Sequence, residues 1–180
     1  SVRLMSKAAI GLTVMNEPNW RTIPELIDAS AQTYGPLQAL VDGEVNWSFL
    51  ELREAIYQAA KALISSGIKS GDKIAIWAPN TWEWIVAALG VHVAGAILVP
   101  INTRFKGKEA AYVIEQAEAK VLFTVTDFLD TNYVDLLKEV QADKKIDEII
   151  VLRGSSTKGT IQFEKFLERA TACKQKEFAQ

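Results

Sequence analysis

Between Glu83 and Arg104 the chain runs for twenty residues, Trp84 to Thr103, without one charged side chain. A helix needs about 20 apolar residues to cross a bilayer, so length alone would place this run in a membrane. Gly90 and Gly95 interrupt it, however, and Pro100 ends it. Its second half, Ala96 to Ile101, is β-branched and strand-like. The run therefore reads as a buried helix followed by a buried strand, which commits the chain to a layered α/β core. The composition can support one: 49% of the 180 residues are hydrophobic, and 20 basic side chains face 22 acidic ones. Wholesale disorder is excluded, and a net charge of -2 offers no basic surplus for a nucleic-acid backbone. One cysteine and one histidine exclude an intrachain disulfide and a four-ligand Cys/His zinc site. Ser1 to Leu12 shows no apolar stretch of signal-peptide length, so a cytoplasmic, reducing compartment is expected.

Residues 1–21 lack periodicity and read as an arm, residues 22–170 as the α/β domain, and residues 171–180 as a polar tail. Thr22-Ile23-Pro24-Glu25 is a capping box for a helix that Gly35-Pro36 stops near Tyr34. Asp42-Gly43 between two short apolar runs predicts an antiparallel hairpin. A second capping box, Ser48-Phe49-Leu50-Glu51, opens a helix that Gly67 terminates. From there strands and helices alternate. Strands are expected at 73–78, 96–101, 121–125 and 149–152; helices are expected at 82–94, capped by Asn80, and at 108–116, 128–140 and 161–170. Short apolar strands alternating with helices mean a mainly parallel sheet with helices on both faces.

Such sheets bind ligands at the carboxyl ends of their strands. Two segments there carry candidate chemistry. Gly154 and Gly159 have the glycine spacing of a phosphate loop, but Thr160 stands where its lysine belongs, so Gly154 to Thr160 reads as a polar surface loop. Arg104, Lys106 and Lys108 surround Gly107 between a strand end and a helix start, a place that attracts anions and equally suits a solvated basic loop. No strand is followed by G-x-G-x-x-G, so hydride transfer on a dinucleotide has no support. His92 lacks an orienting carboxylate and reads as a packed histidine, and Cys173 lacks a histidine partner. Glu115 and Glu118 lie one helical turn apart, as helix surfaces often place carboxylates. Trp82 and Trp84 point to opposite sides of one helix, which suits packing better than a stacking platform.

Asp72-Lys73-Ile74-Ala75-Ile76-Trp77-Ala78-Pro79-Asn80-Thr81-Trp82-Glu83-Trp84, followed by Ala94-Gly95-Ala96-Ile97-Leu98-Val99-Pro100-Ile101-Asn102-Thr103-Arg104, carries a sharper signal. These strings resemble G-D-x-V-A-I-x-x-P-N-x-x-E-W and A-G-A-x-x-V-P-L-N-x-R of AMP-forming acyl-CoA synthetases, and the likeness runs in order from Thr22 to about Thr124. The lipid and steroid-acid CoA ligase branch looks most similar, through Trp77 to Trp84, Val91-His92 and Asn102-Thr103-Arg104. The resemblance implies the N-terminal subdomain of the adenylate-forming fold. It implies a ligase that makes an acyl-adenylate from a fatty or polycyclic carboxylic acid and ATP, with Mg²⁺, and passes the acyl group to CoA. The family's T-S-G-T-T-G-x-P-K-G loop, ribose-binding aspartate and catalytic lysine have no counterpart here, so no catalytic, cofactor-binding or metal residue is assigned. The expectation is a truncated N-terminal part, inactive and without cofactors alone. Acid, ATP and CoA would be engaged through the remainder of the chain, with no nucleic acid and no transmembrane span. Peripheral membrane contact and a homo-oligomer remain compatible with the sequence. The competing readings are a stand-alone, non-catalytic module that holds a nucleotide or phosphate, and an interaction domain.

Overall fold

The computed structural model describes residues 20–173, so the arm expected over 1–21 and the tail over 171–180 fall almost wholly outside it. Helix α1 (Ile23–Tyr34) starts as its capping box requires: the Glu25 amide donates to Thr22 Oγ1 at 3.3 Å and the Thr22 amide donates to Glu25 Oε2 at 3.1 Å. Strands β1 (Gln38–Asp42) and β2 (Val45–Ser48) form the antiparallel hairpin, with Gly43 at φ +59 in its turn. Helix α2 (Phe49–Ser65) is capped by Ser48 and Glu51, and the Ser48 backbone amide, then its hydroxyl, hold the Glu51 carboxyl below its usual range.

Strands β3 (Lys73–Trp77), β4 (Ile97–Pro100), β5 (Val121–Val125), β6 (Glu148–Arg153) and β7 (Thr160–Gln162) form one parallel sheet in the order β4-β3-β5-β6-β7. Helices α3 (Trp82–Val93), α4 (Gly107–Ala117), α5 (Tyr133–Glu139) and α6 (Phe163–Leu167) connect or follow them. Right-handed crossovers that step first from β3 to β4, then back past β3 to β5, put α3 and α4 on opposite faces. Accordingly α3 and α6 pack against α2 on one side, and α4 packs against α5 on the other. Trp77, Phe123, Phe163 and Phe166 are fully buried, with Phe123 edge-on to both other phenyl rings.

The uncharged run is indeed a helix and a strand. A Cβ on Gly90 would lie 2.8 Å from the Ala59 Cβ, so α3 approaches α2 at that glycine and buries Val86, Ala87, Ala88 and Val91. Among the described residues no helix is long and apolar enough to cross a membrane. Other expectations need correction. Strand β4 is the sheet's edge rather than a buried strand, and Ile97 is 49% exposed. Helix α3 is capped by Thr81, not Asn80, because Thr81 Oγ1 accepts from the Trp84 amide. Helix α5 begins at Tyr133, five residues after Phe128, because Leu129 and Asp130 turn the chain at positive φ and Asn132 supplies the cap. Residues 160–162 pair with β6 before α6 starts, and 168–172 tighten into 3₁₀ turns.

Candidate functional site at the carboxyl edge of the sheet

The winding reverses at β3, so a crevice belongs between the carboxyl ends of β3 and β5, flanked by the loops after β4 and β6. The loop after β4 is tied down there. Trp77 Nε1 donates to the Asn102 carbonyl at 3.1 Å, and the Tyr133 hydroxyl donates to the Thr103 carbonyl at 2.8 Å. The two rings stack with centroids 4.1 Å apart. Burial raises the Tyr133 phenol above its ordinary range, which keeps the proton it donates. Asn102 Oδ1 accepts from the Arg104 amide at 2.9 Å and closes the turn.

This loop faces the Phe128–Thr131 turn across an open cavity of about 450 Å³. Arg104, Lys106, Phe105, Phe128, Leu129 and Leu136 are among the residues lining it. Arg104 and Lys106 are exposed, and among the described residues neither makes an ion pair. Two cations beside apolar and aromatic surface suit a ligand that joins an anion to a flat ring system. Lys108, the third member of the basic stretch, lies outside the lining on the first turn of α4.

A second group sits at the opposite corner of the same edge. Arg153, the last residue of β6, donates through Nε to Glu83 Oε1 at 2.7 Å and through Nη2 to Asp42 Oδ2 at 2.6 Å. Asp42 Oδ2 also accepts the Trp82 amide at the start of α3. That amide, with Arg153, holds the Asp42 carboxyl below its usual range, and the Glu83 hydrogen bond raises the Arg153 guanidinium. Glu83 is 5% exposed, and its Oε2 has no hydrogen-bond partner among the described residues. Sequence reading missed this clamp, since Asp42 and Arg153 are 111 residues apart and no spacing rule links them.

The remaining candidates fall elsewhere. Gly154 holds φ +91 and packs so tightly that a Cβ would lie 2.2 Å from Thr126 Oγ1, while Thr126 Oγ1 donates to the Ser155 carbonyl. The Thr157 amide donates to Thr160 Oγ1, and the Thr160 amide to the Thr157 carbonyl. The loop Gly154 to Thr160 thus spends two of its backbone amides on itself, in keeping with a self-contained polar turn. His92 is half-buried near the end of α3 away from the crevice, and burial lowers its pKa. Cys173 caps the turns that pack on α2. Glu115 pairs with Lys145 at 2.7 Å, and Glu118 leaves α4 at φ +52, so they are not a working carboxylate pair. Trp82 packs against Trp47 and Phe163, as core and edge packing requires. Among the described residues no three His, Cys, Asp or Glu side chains gather to hold a metal ion.

Comparison with known proteins finds likeness in both sequence and fold. The chain is 34% identical over 153 residues to a 3-[(3aS,4S,7aS)-7a-methyl-1,5-dioxo-octahydro-1H-inden-4-yl]propanoyl:CoA ligase of Rhodococcus jostii (strain RHA1), covering 83% of this chain and 30% of that one. It is 33% identical over 121 residues to a mitochondrial medium-chain acyl-CoA ligase of Mus musculus, covering 66% of this chain and 20% of that protein. The chain thus spans less than a third of the length of the curated relatives it matches. Among solved structures, the anthranilate CoA ligase AuaEII with anthranoyl-AMP superposes with a TM-score of 0.74 at 21% identity, over 84% of this chain and 28% of that one. Coronafacic acid ligase from Pectobacterium brasiliense gives 0.73 at 20% identity, over 82% and 29%. These likenesses show the shared fold of adenylate-forming enzymes. The family model described as AMP-binding enzyme matches residues 27–178, most of the domain built above, and the chain belongs to that family.

Proposed function

We propose that these residues form the N-terminal part of an acid–CoA ligase. In the first step a substrate carboxylate attacks the α-phosphate of ATP, forming an acyl-adenylate and releasing pyrophosphate. In the second, the CoA thiolate attacks the acyl carbon, the thioester forms and AMP leaves. The observation that carries this reading is the 34% identity to a CoA ligase for a polycyclic propanoate, sustained over 83% of the chain. A polycyclic or medium-chain acid is the substrate class the relatives support. A single cysteine in the sequence rules out an intrachain disulfide within it and suits a reducing compartment, and we place the protein in the cytoplasm.

Within this frame the carboxyl-edge cavity receives the adenosine-phosphate moiety that ATP and CoA share. Arg104 and Lys106, exposed and without an ion pair among the described residues, supply positive charge, and Phe105 and Phe128 supply apolar surface. The reacting groups and the magnesium ligands belong to parts of the protein beyond these 180 residues. ATP–pyrophosphate exchange by the full-length protein, with polycyclic propanoates and medium-chain fatty acids, tests the reaction; the 180-residue span alone is expected to give none. A full-length protein silent with every acid overturns the ligase reading, and exchange by the span overturns its inactivity. Arg104→Glu with Lys106→Glu is expected to raise the KM for CoA or for ATP by about tenfold or more. Whichever KM moves names the ligand, and two unchanged values remove the cavity from the reading.

A further inference from the structure

The turn that closes the cavity opposite Arg104 has an unusual occupant. Phe128, Leu129, Asp130 and Thr131 form a tight reversal in which the Thr131 amide donates to the Phe128 carbonyl at 3.0 Å. Both central residues have left-handed φ, +51 at Leu129 and +56 at Asp130. That pair of angles marks a mirror-image turn, in which Asn-Gly or Asp-Gly is preferred because the left-handed region crowds a Cβ. Asp130 tolerates it, as short polar side chains do; Leu129 does not, since leucine has no local hydrogen bond to offer in return.

The surroundings hold Leu129 in place despite this strain. Thr131 Oγ1 donates to the Leu129 carbonyl at 3.2 Å, and the Phe128 ring packs edge-on against Tyr133. What the strain accomplishes is exposure: Leu129 is 78% exposed, more than any other large hydrophobic side chain among the described residues, and it lines the cavity. A leucine serving the core would be covered, and a residue serving only the turn would be glycine or asparagine. A strained residue over a cavity mouth is where ligand clamps are found.

We propose that Leu129 is a ligand-contact residue: it lies over the flat apolar face of the adenosine-phosphate ligand whose phosphates Arg104 and Lys106 attract, and the strained turn holds it there. This rests on the cavity reading given under Proposed function. The discriminating variant is Leu129→Asn, which suits left-handed φ better than leucine and removes the apolar contact. In the full-length protein it is expected to melt no lower than the parent, while the KM for the cavity ligand, measured separately for ATP and CoA, rises roughly three- to tenfold with kcat unchanged. Leu129→Met, which keeps an apolar chain of similar volume, restores most of the lost affinity. A merely structural leucine would lower the melting temperature and leave both KM values alone, and that result overturns the proposal. Charge reversal at Arg104 and Lys106 separates the two failures. If it raises a KM that Leu129→Asn leaves unmoved, only the role of Leu129 falls. If it moves neither KM, the cavity reading falls and takes this proposal with it.

Discussion

Gly107→Ala tests whether the packing beneath the cavity governs its shape. Gly107 opens α4 and is buried, and a Cβ there would lie 2.2 Å from the Leu136 carbonyl oxygen and 2.9 Å from its carbonyl carbon. Both are backbone atoms of α5, so no side chain can rotate away. Reaching ordinary contact requires α4 and α5 to separate by about 1 Å, which a close-packed interior resists. Overpacking of this kind costs about 1–3 kcal/mol, against which the alanine recovers about 0.4–1 kcal/mol of unfolded-chain entropy. The net loss is about 1–2 kcal/mol, or a fall in Tm of roughly 2–8 °C for a domain of this size. Because Lys106 and Leu136 both line the cavity, the displacement also carries to the site. Thermal unfolding of the full-length protein, read beside the KM for ATP and for CoA, is the assay, and exposed Lys108→Ala is the matched control. An alanine variant that melts with the parent and keeps both KM values would refute the claim that the α4–α5 contact fixes the cavity.

Three further predictions come from other contacts. Thr81→Ala should cost about 1 kcal/mol by removing the α3 cap, while Asn80→Ala costs close to nothing; equal losses in denaturant midpoints would contradict the assigned cap. Arg153→Met should destabilise by about 2 kcal/mol, below the roughly 3–5 kcal/mol of a fully buried pair because the arginine is partly in water, and adding Glu83→Leu should recover most of it. A double variant no more stable than the single one would show that the orphaned Glu83 charge is not the cause. His92 has its pKa lowered by burial, so the folded state binds its proton less readily than the unfolded chain. Its contribution is therefore neutral at high pH and becomes destabilising as pH falls below the unfolded histidine value of about 6.5. His92→Gln should flatten the stability profile in that window, and an unchanged slope would clear His92 of the effect.

What could be read from sequence was what neighbours in the chain decide. The two capping boxes and the Asp42-Gly43 turn are settled within four residues, and strand β5, apolar but for Thr124, was expected over the residues it occupies. The failures arise where tertiary contacts override a local pattern. One helix was expected over 161–170, yet 160–162 gain more by pairing with the open edge of β6. Nothing at Leu129 announces a left-handed turn, because leucine is among the last residues local preference would put there. At the site, the basic stretch was legible as charge near a helix start, but which two of its three cations meet a cavity depends on where the Phe128–Thr131 turn folds. The Arg153 clamp was invisible, since its partners belong to the hairpin and to α3.

The clamp and the basic loop divide the carboxyl edge electrically. A helix start at such an edge is ordinarily an anion site, because its free amides and dipole favour negative charge. At α3 that position is already filled from within: the Asp42 carboxylate takes the Trp82 amide, Thr81 takes the Trp84 amide, and Glu83 adds a second carboxylate in the first turn. Arg153 neutralises one of these two charges, so this corner is net negative and turns anions away. Arg104 and Lys106, on the loop after β4, leave the other corner positive. A polyphosphate approaching the crevice is therefore steered toward the Arg104 side by attraction and by repulsion from the Asp42–Glu83 side, and both effects reach about one Debye length, roughly 8–10 Å in physiological salt. The hairpin thus does more than cover α3. By lending Asp42 to the helix start it closes one anion site, which under the proposed function leaves phosphate to the cavity beneath Leu129.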